Sequence, residues 1–298
     1  MIRPVPGLGI MTHMNRASVS EAPVGLLPLR RPLMTGEVLD ASFRLFRAAL
    51  LRSLPYSGLA VLALQFPALY TLFMGPRGAF TALLGRGGSS AALGDREVIL
   101  TLAILFCTLL FGVITLRLHS VSRGLRPRFR TELATALRRW PMSIIATLGS
   151  LGFPLALILA WPALTMMLPG PALLVLALPL LWPAALFAVA LPAFWCDGLG
   201  PFAALAQAFR ISRRRTWRMV GAMFATGSVV AVFYGLAAVL LFLLGQIAGR
   251  ADLFLLSAIS SMVGVVMGAF GVPFVLAMLV VAHEDLKLRD AERRGVGA

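Results

Sequence analysis

Charge is what this chain has least of. Only 13% of its 298 residues are Asp, Glu, Lys or Arg, while 59% are hydrophobic and the mean hydropathy is +0.89. Soluble domains are about half apolar and about a quarter charged, so a water-soluble globular protein is excluded. A disordered chain is excluded too, because disorder needs few apolar residues. Acidic residues number 12, and Lys287 is the one lysine among 27 basic residues. Cysteine is almost absent. Cys107 lies within an apolar run and Cys196 at the end of another, so neither a disulfide framework nor a CxxC metal site is open to them, and both read as small core residues. What remains is a polytopic membrane protein. Its net charge of +15 would suggest nucleic acid on a soluble chain. Here it points to the positive-inside bias and to anionic headgroups, and nucleic acid is not an expected partner.

What the chain does have is long runs free of charge. A bilayer core of about 30 Å needs about 20 helical residues. Ser53–Pro76, Val98–Leu116, Met219–Gly249 and Leu253–Ala282 each suit one span. Pro141–Cys196 has 56 residues and suits two, parted at Leu168-Pro169-Gly170-Pro171, a strong turn signal. The expectation is an all-α fold of six transmembrane helices in three hairpins. An even count puts both termini on one side, which then carries 23 basic residues against 4 on the other, and the richer side is the inner one. Trp140, Trp195 and Trp217 fall at that inner boundary, where interfacial indoles are favoured. Residues 1–33 contain no apolar stretch of signal-peptide length, and Arg30-Arg31 lacks the apolar run of a twin-arginine signal. They read as a disordered lead, or as a start-site error with Met11, Met14 or Met34 as the true start. Residues 34–285 form the membrane domain and 286–298 a cytoplasmic tail.

Each hairpin is preceded by a basic amphipathic segment. In Glu37–Arg52, Leu39, Phe43, Phe46 and Leu50 share one helical face; Thr35 is the expected N-cap, and Asp40 and Arg44 are four residues apart. The second segment repeats Leu125, Phe129, Leu133 and Leu137 among arginines that include Arg128 and Arg130. In the third, Phe202, Leu205 and Phe209 oppose Arg210, Arg213, Arg214 and Arg218. The first and third share an F-R-x-x-R core. Such helices lie in the interface, with apolar faces in the acyl boundary and arginines among headgroups. Arg44, Arg47, Arg128, Arg130, Arg210, Arg213, Arg214, Arg215 and Arg218 are therefore the candidate contacts to lipid headgroups or to a partner.

Leu33–Arg47, reading LMTGEVLDASFRLFR, resembles the opening of a family of bacterial six-helix membrane proteins. That family includes the membrane domain fused to some glycerophosphodiester phosphodiesterases and stand-alone relatives of the YciC type. Pro201–Arg213, reading PFAALAQAFRISR and continuing to Trp217-Arg218, is the second matching stretch, and the likeness spans roughly residues 33–285. It implies a module of the bacterial cytoplasmic membrane without catalytic residues of its own.

Candidate chemistry is sparse. No Asp, Glu, Lys or Arg falls inside an expected span, which disfavours an ion-coupled pump. His283-Glu284-Asp285 reads as a solvated helix end, because sequence neighbours rarely converge on one metal ion. His119, near Arg117 and Arg123, reads as a headgroup contact. The intramembrane Ser and Thr, together with Gln65, Gln246, Tyr56, Tyr70 and Tyr234, read as helix–helix hydrogen-bonding groups. Gly245-xxx-Gly249 and Gly264-xxx-Gly268 allow close helix approach within the last hairpin or between two copies of the chain. The third and fourth spans are dense in proline. Pro154, Pro162, Pro179 and Pro183 are the candidate kink or cavity positions, with Pro192 beyond them. The loop Gly75–Glu97 matches no phosphate-binding pattern.

The reading is a non-enzymatic integral protein of the bacterial cytoplasmic membrane, multi-pass with both termini cytoplasmic, in an envelope or lipid-linked accessory role. Its expected partners are anionic membrane lipids, a cytoplasmic protein or a second copy. No catalytic residue, cofactor or metal is expected. The alternative is a transporter or flippase-like carrier with a cavity at the proline-bent third and fourth helices.

Overall fold

The computed structural model describes residues 29, 31–74, 89–125, 128–167, 182–248 and 253–295. Among them all regular structure is helical: α1 (Thr35–Met74), α2 (Ser89–Ser122), α3 (Phe129–Met167), a short helix at 182–187 leading into α4 (Ala190–Cys196), α5 (Pro201–Ser212), α6 (Thr216–Ala248) and α7 (Leu253–Arg293). Four stretches are long and apolar enough to cross a membrane: Thr35–Phe66 in α1, Val98–Ser122 in α2, Thr216–Leu243 in α6 and Ile259–Arg293 in α7. Trp182–Cys196 is a shorter apolar helical stretch.

Two of the three amphipathic segments are not separate helices. Glu37–Arg52 is the first half of α1, and Phe129 onward runs unbroken into α3. At 1.5 Å per residue the 40 residues of α1 extend about 60 Å, twice the thickness of a bilayer core. Its first turn is closed by Glu37, whose carboxylate accepts the Met34 N–H at 2.7 Å, so the closing group is Glu37 and not Thr35. Only the third segment, α5, is free-standing. Pro at its first position suits a helix start, and a tight turn in which the Arg215 N–H reaches back to the Ser212 carbonyl parts it from α6.

The most buried line of each segment is built largely of small residues. In α1 the buried line is Val38, Ser42, Leu45, Ala49, Ser53 and Ser57, while Phe43 stays exposed. In α3 it is Glu132, Ala136 and Ser143, with Phe129 and Leu137 outside. In α5 it is Pro201, Ala204, Ala208, Ile211 and Ser212, with Phe202 and Phe209 outside. Small residues let backbones approach, and lipid is as good a solvent for Phe or Leu as another helix is.

α1 and α7 make the most extensive helix contact. Pro273, inside α7, has no N–H to give the Ala269 carbonyl four residues back. The Ser57 hydroxyl of α1 donates to that carbonyl at 2.7 Å and so repairs the ladder from outside. One turn along, a Cβ on Gly268 would meet Val61 Cγ1 at 2.7 Å. Gly264 and Gly268 thus serve packing inside the chain, against α1. Gly249 lies outside the described residues.

The largest core cluster sits around α4. Leu191, Phe194 and Trp195 pack with Val113, Ile114 and Leu118 of α2 and with Leu276 to Ala282 of α7. A Cβ on Gly112 would run into the Trp195 indole, so this glycine admits the ring. Trp195 is therefore a core residue and not an interfacial one, whereas Trp217 is 74% exposed. Trp140 donates to the Leu105 carbonyl of α2 at 2.9 Å. The helix breaks at residues 188–189, four residues before Pro192, because the missing proline N–H leaves the Ala188 carbonyl without its helical donor. Pro183 lies half-buried in the 182–187 helix. The α3 backbone is helical through Pro154 and Pro162, and Pro179 lies outside the described residues. Cys107 is buried, and both cysteines are free thiols.

Candidate functional site

Ionic groups collect at one end of the bundle, where the starts of α1, α3 and α6 meet the ends of α2, α4 and α7. Three clusters make up this end. The first joins α2 to α3: Arg117 Nε and Nη2 donate to Glu132 Oε2 at 2.9 and 2.7 Å, and Nη1 donates to the Arg52 carbonyl of α1 at 2.6 Å. The guanidinium lies 4.8 Å from the centre of the Tyr56 ring, and both ionic side chains are less than a tenth exposed. Such a pair holds register more than it adds net stability, but removing one partner leaves a buried charge uncompensated.

The second cluster surrounds Asp197, in the turn after α4. His283 Nε2 of α7 lies 2.9 Å from one carboxylate oxygen, to which Gln207 of α5 also donates at 3.2 Å, and Lys287 donates to the other at 2.8 Å. Burial alone would raise the pKa of Asp197. Hydrogen bonds from His283 and Lys287, and the charges behind them, outweigh that and hold the carboxyl well below the usual carboxylate range. The third cluster surrounds Asp285 of α7, which is 2% exposed. It accepts the Leu33 N–H at 2.7 Å and Arg289 Nε at 3.1 Å, and Arg218 of α6 lies 3.3 Å away. Leu33 in turn gives its carbonyl to Arg218 and Arg289.

His283, Glu284 and Asp285 are thus buried, where the sequence suggested a solvated helix end. Asp197, 86 and 90 residues from its partners His283 and Lys287, draws them inward. Among the described residues no group of three or more His, Cys, Asp or Glu is placed to hold a metal ion. His283 is wholly out of solvent, and its pairing with Asp197 ties α4 to α7.

The candidate contact residues divide. Arg44, Arg47, Arg128, Arg130, Arg210, Arg213 and Arg214 are exposed, and Arg44 pairs with Asp40 on the surface. Arg215 and Arg218 turn partly inward. Sequence reasoning did not single out Glu132, Asp197 or Arg289, named Arg117 only as a neighbour of His119, and read Asp285 as part of a solvated helix end. A usable signal was the scarcity of acids: with so few carboxylates among so many arginines, an acid beside an apolar run has a partner waiting.

Apart from this end, the described residues form an apolar cavity of about 290 Å³ between α1, α6 and α7, lined by Phe43, Phe46, Phe233, Phe270 and Phe274 among others. Set against protein-family models, curated proteins and solved structures, the chain matches none.

Proposed function

We propose that this is a non-enzymatic six-span protein of a bacterial cytoplasmic membrane, anchored by its basic end to anionic lipid, in an envelope or lipid-linked accessory role. One observation carries the reading. On each of the three basic segments at least one aromatic side chain stays exposed, and it shares the segment with exposed arginines. Phe43 sits beside Arg44 and Arg47; Phe129 lies between Arg128 and Arg130; Phe202 and Phe209 precede Arg210, Arg213 and Arg214. Exposed aromatics next to exposed cations suit the boundary between acyl chains and phosphates. Each such cation contributes about 1 kcal/mol near an anionic leaflet. The six-span count adds two crossings within Pro141–Cys196 to the four long apolar stretches. The resemblance to the YciC-type and phosphodiesterase-linked membrane family fits this reading.

Native mass spectrometry of the protein extracted with its own lipids tests the proposal. Wild type should retain several anionic lipids in a graded series, and the double variant Arg213→Gln/Arg214→Gln should retain fewer. Identical adducts in the two proteins would refute it. Cysteines introduced at Arg86 and at Arg126 should label from opposite sides of the membrane.

A further inference from the structure

Two arginines hold a single buried carboxylate where the α5–α6 turn meets the end of α7, and two more, Arg215 and Arg293, lie within electrostatic range. Arg218 and Arg289 hold Asp285 and the Leu33 carbonyl, as described above. Arg215 lies within electrostatic range of Arg293, Arg289 and Arg218, whose like charges act on it, and of Asp285, which opposes them. Burial, followed by these like charges, pushes the pKa of Arg215 down. Glu37, whose charge reaches Arg218, has committed its oxygens to Arg31 and the Met34 N–H.

A guanidinium does not give up its proton, so repulsion inside such a cluster is relieved only by an anion. The acceptors on hand are already used. Asp285 takes the Leu33 N–H, Arg289 and Arg218, and the Leu33 carbonyl takes Arg218 and Arg289. Arg215 Nη1 is screened from solvent and has no hydrogen-bond partner. A buried charged donor without an acceptor is costly and calls for an unseen one. A phosphate group fits: it offers several acceptor oxygens with negative charge, and guanidinium forks match its geometry. α6 also begins at Thr216, next to Arg215, with its positive dipole end at this point.

We propose that Arg215, Arg218, Arg289 and Arg293 form a binding site for one phosphate group, with Arg215 Nη1 as its buried donor. The proposal deepens the lipid-anchoring reading and rests on it only for the source of the phosphate. A headgroup would arrive from the side of the exposed Trp217; a free phosphate or soluble phosphomonoester would arrive from the aqueous phase.

The test uses the full chain, delipidated in detergent, and native mass spectrometry with three probes: inorganic phosphate, phosphatidic acid, and diacylglycerol as the phosphate-free lipid. One phosphate-bearing ligand per chain is expected, and none with diacylglycerol. The dissociation constant should rise about tenfold in Arg215→Gln, the loss of one charge-assisted hydrogen bond. It should also rise in Arg293→Gln, an exposed position whose change leaves the fold intact. Arg213→Gln/Arg214→Gln should bind as wild type does. Phosphatidic acid displaced by inorganic phosphate indicates a site open to soluble phosphate, and phosphatidic acid that resists displacement indicates a headgroup site. The absence of one-to-one binding, or equal binding by wild type, Arg215→Gln and Arg293→Gln, would overturn the proposal. Graded lipid adducts that vanish only in Arg213→Gln/Arg214→Gln report on the broader anchoring, so the two readings fail separately.

Discussion

α6 and α7, the last two helices, are similarly long and similarly apolar, yet the protein uses them in opposite ways. Of the apolar window in α7, 61% is buried, against 11% in α6. α7 carries Gly268, Ala269, Pro273, His283 and Asp285 on its packed side and touches nearly every other element. α6 turns Phe224, Val232, Phe233, Leu236, Leu240 and Phe242 outward, an apolar surface far beyond what water tolerates. The difference teaches that in a bilayer apolarity decides only that a helix inserts. Small residues and paired ions decide whether it becomes the centre or the rim.

The comparison breaks most severely at Asp285. Asp285→Ala removes the acceptor of Leu33, Arg218 and Arg289 together, and should cost about 3–5 kcal/mol, seen as a large drop in the unfolding midpoint in detergent. Next comes Gly268→Leu. The site has no room for the added atoms against Val61, so about 1–3 kcal/mol should be lost, read by the same denaturation.

Acid gives a subtler break. The pKa of Asp197 is depressed in the folded chain, so its contribution is fully present above the unfolded carboxylate value of about 3.9 and is lost as pH falls from there toward the folded value. Wild type should therefore lose stability below about pH 4 more steeply than Asp197→Asn. Identical acid limbs would count against the Asp197–His283–Lys287 tie. The smallest effect sharpens the contrast from the rim: Gly227→Ala in α6 meets open space and should raise stability by no more than about 1 kcal/mol.

Much of the architecture was legible in the chain. The charge-free runs from Val98 and from Leu253 became α2 and α7, and the break before the fifth run became the α5–α6 turn. The packed faces were not legible. Leu39, Phe43, Phe46 and Leu50 marked one face of α1 by periodicity, but the neighbouring face of Ser42, Leu45, Ala49 and Ser53 is the buried one. The usual rule assumes water outside, where large apolar groups must be hidden, and here the outside is lipid. The ionic end was hidden for another reason: Leu33 and Asp285 are 252 residues apart, and no local spacing rule joins them.

The hydrogen bond from Ser57 to Ala269 also sets an order of events during synthesis. Its two ends are 212 residues apart. At about 5–20 residues per second, Ser57 emerges roughly 10–40 s before the carbonyl it will serve. In that interval its hydroxyl can rest on the Ser53 and Leu54 carbonyls of its own helix, which lie 3.2 and 3.1 Å away. The first helix can thus wait in the bilayer with its polar groups satisfied, and the nascent bundle closes only when the last helix arrives.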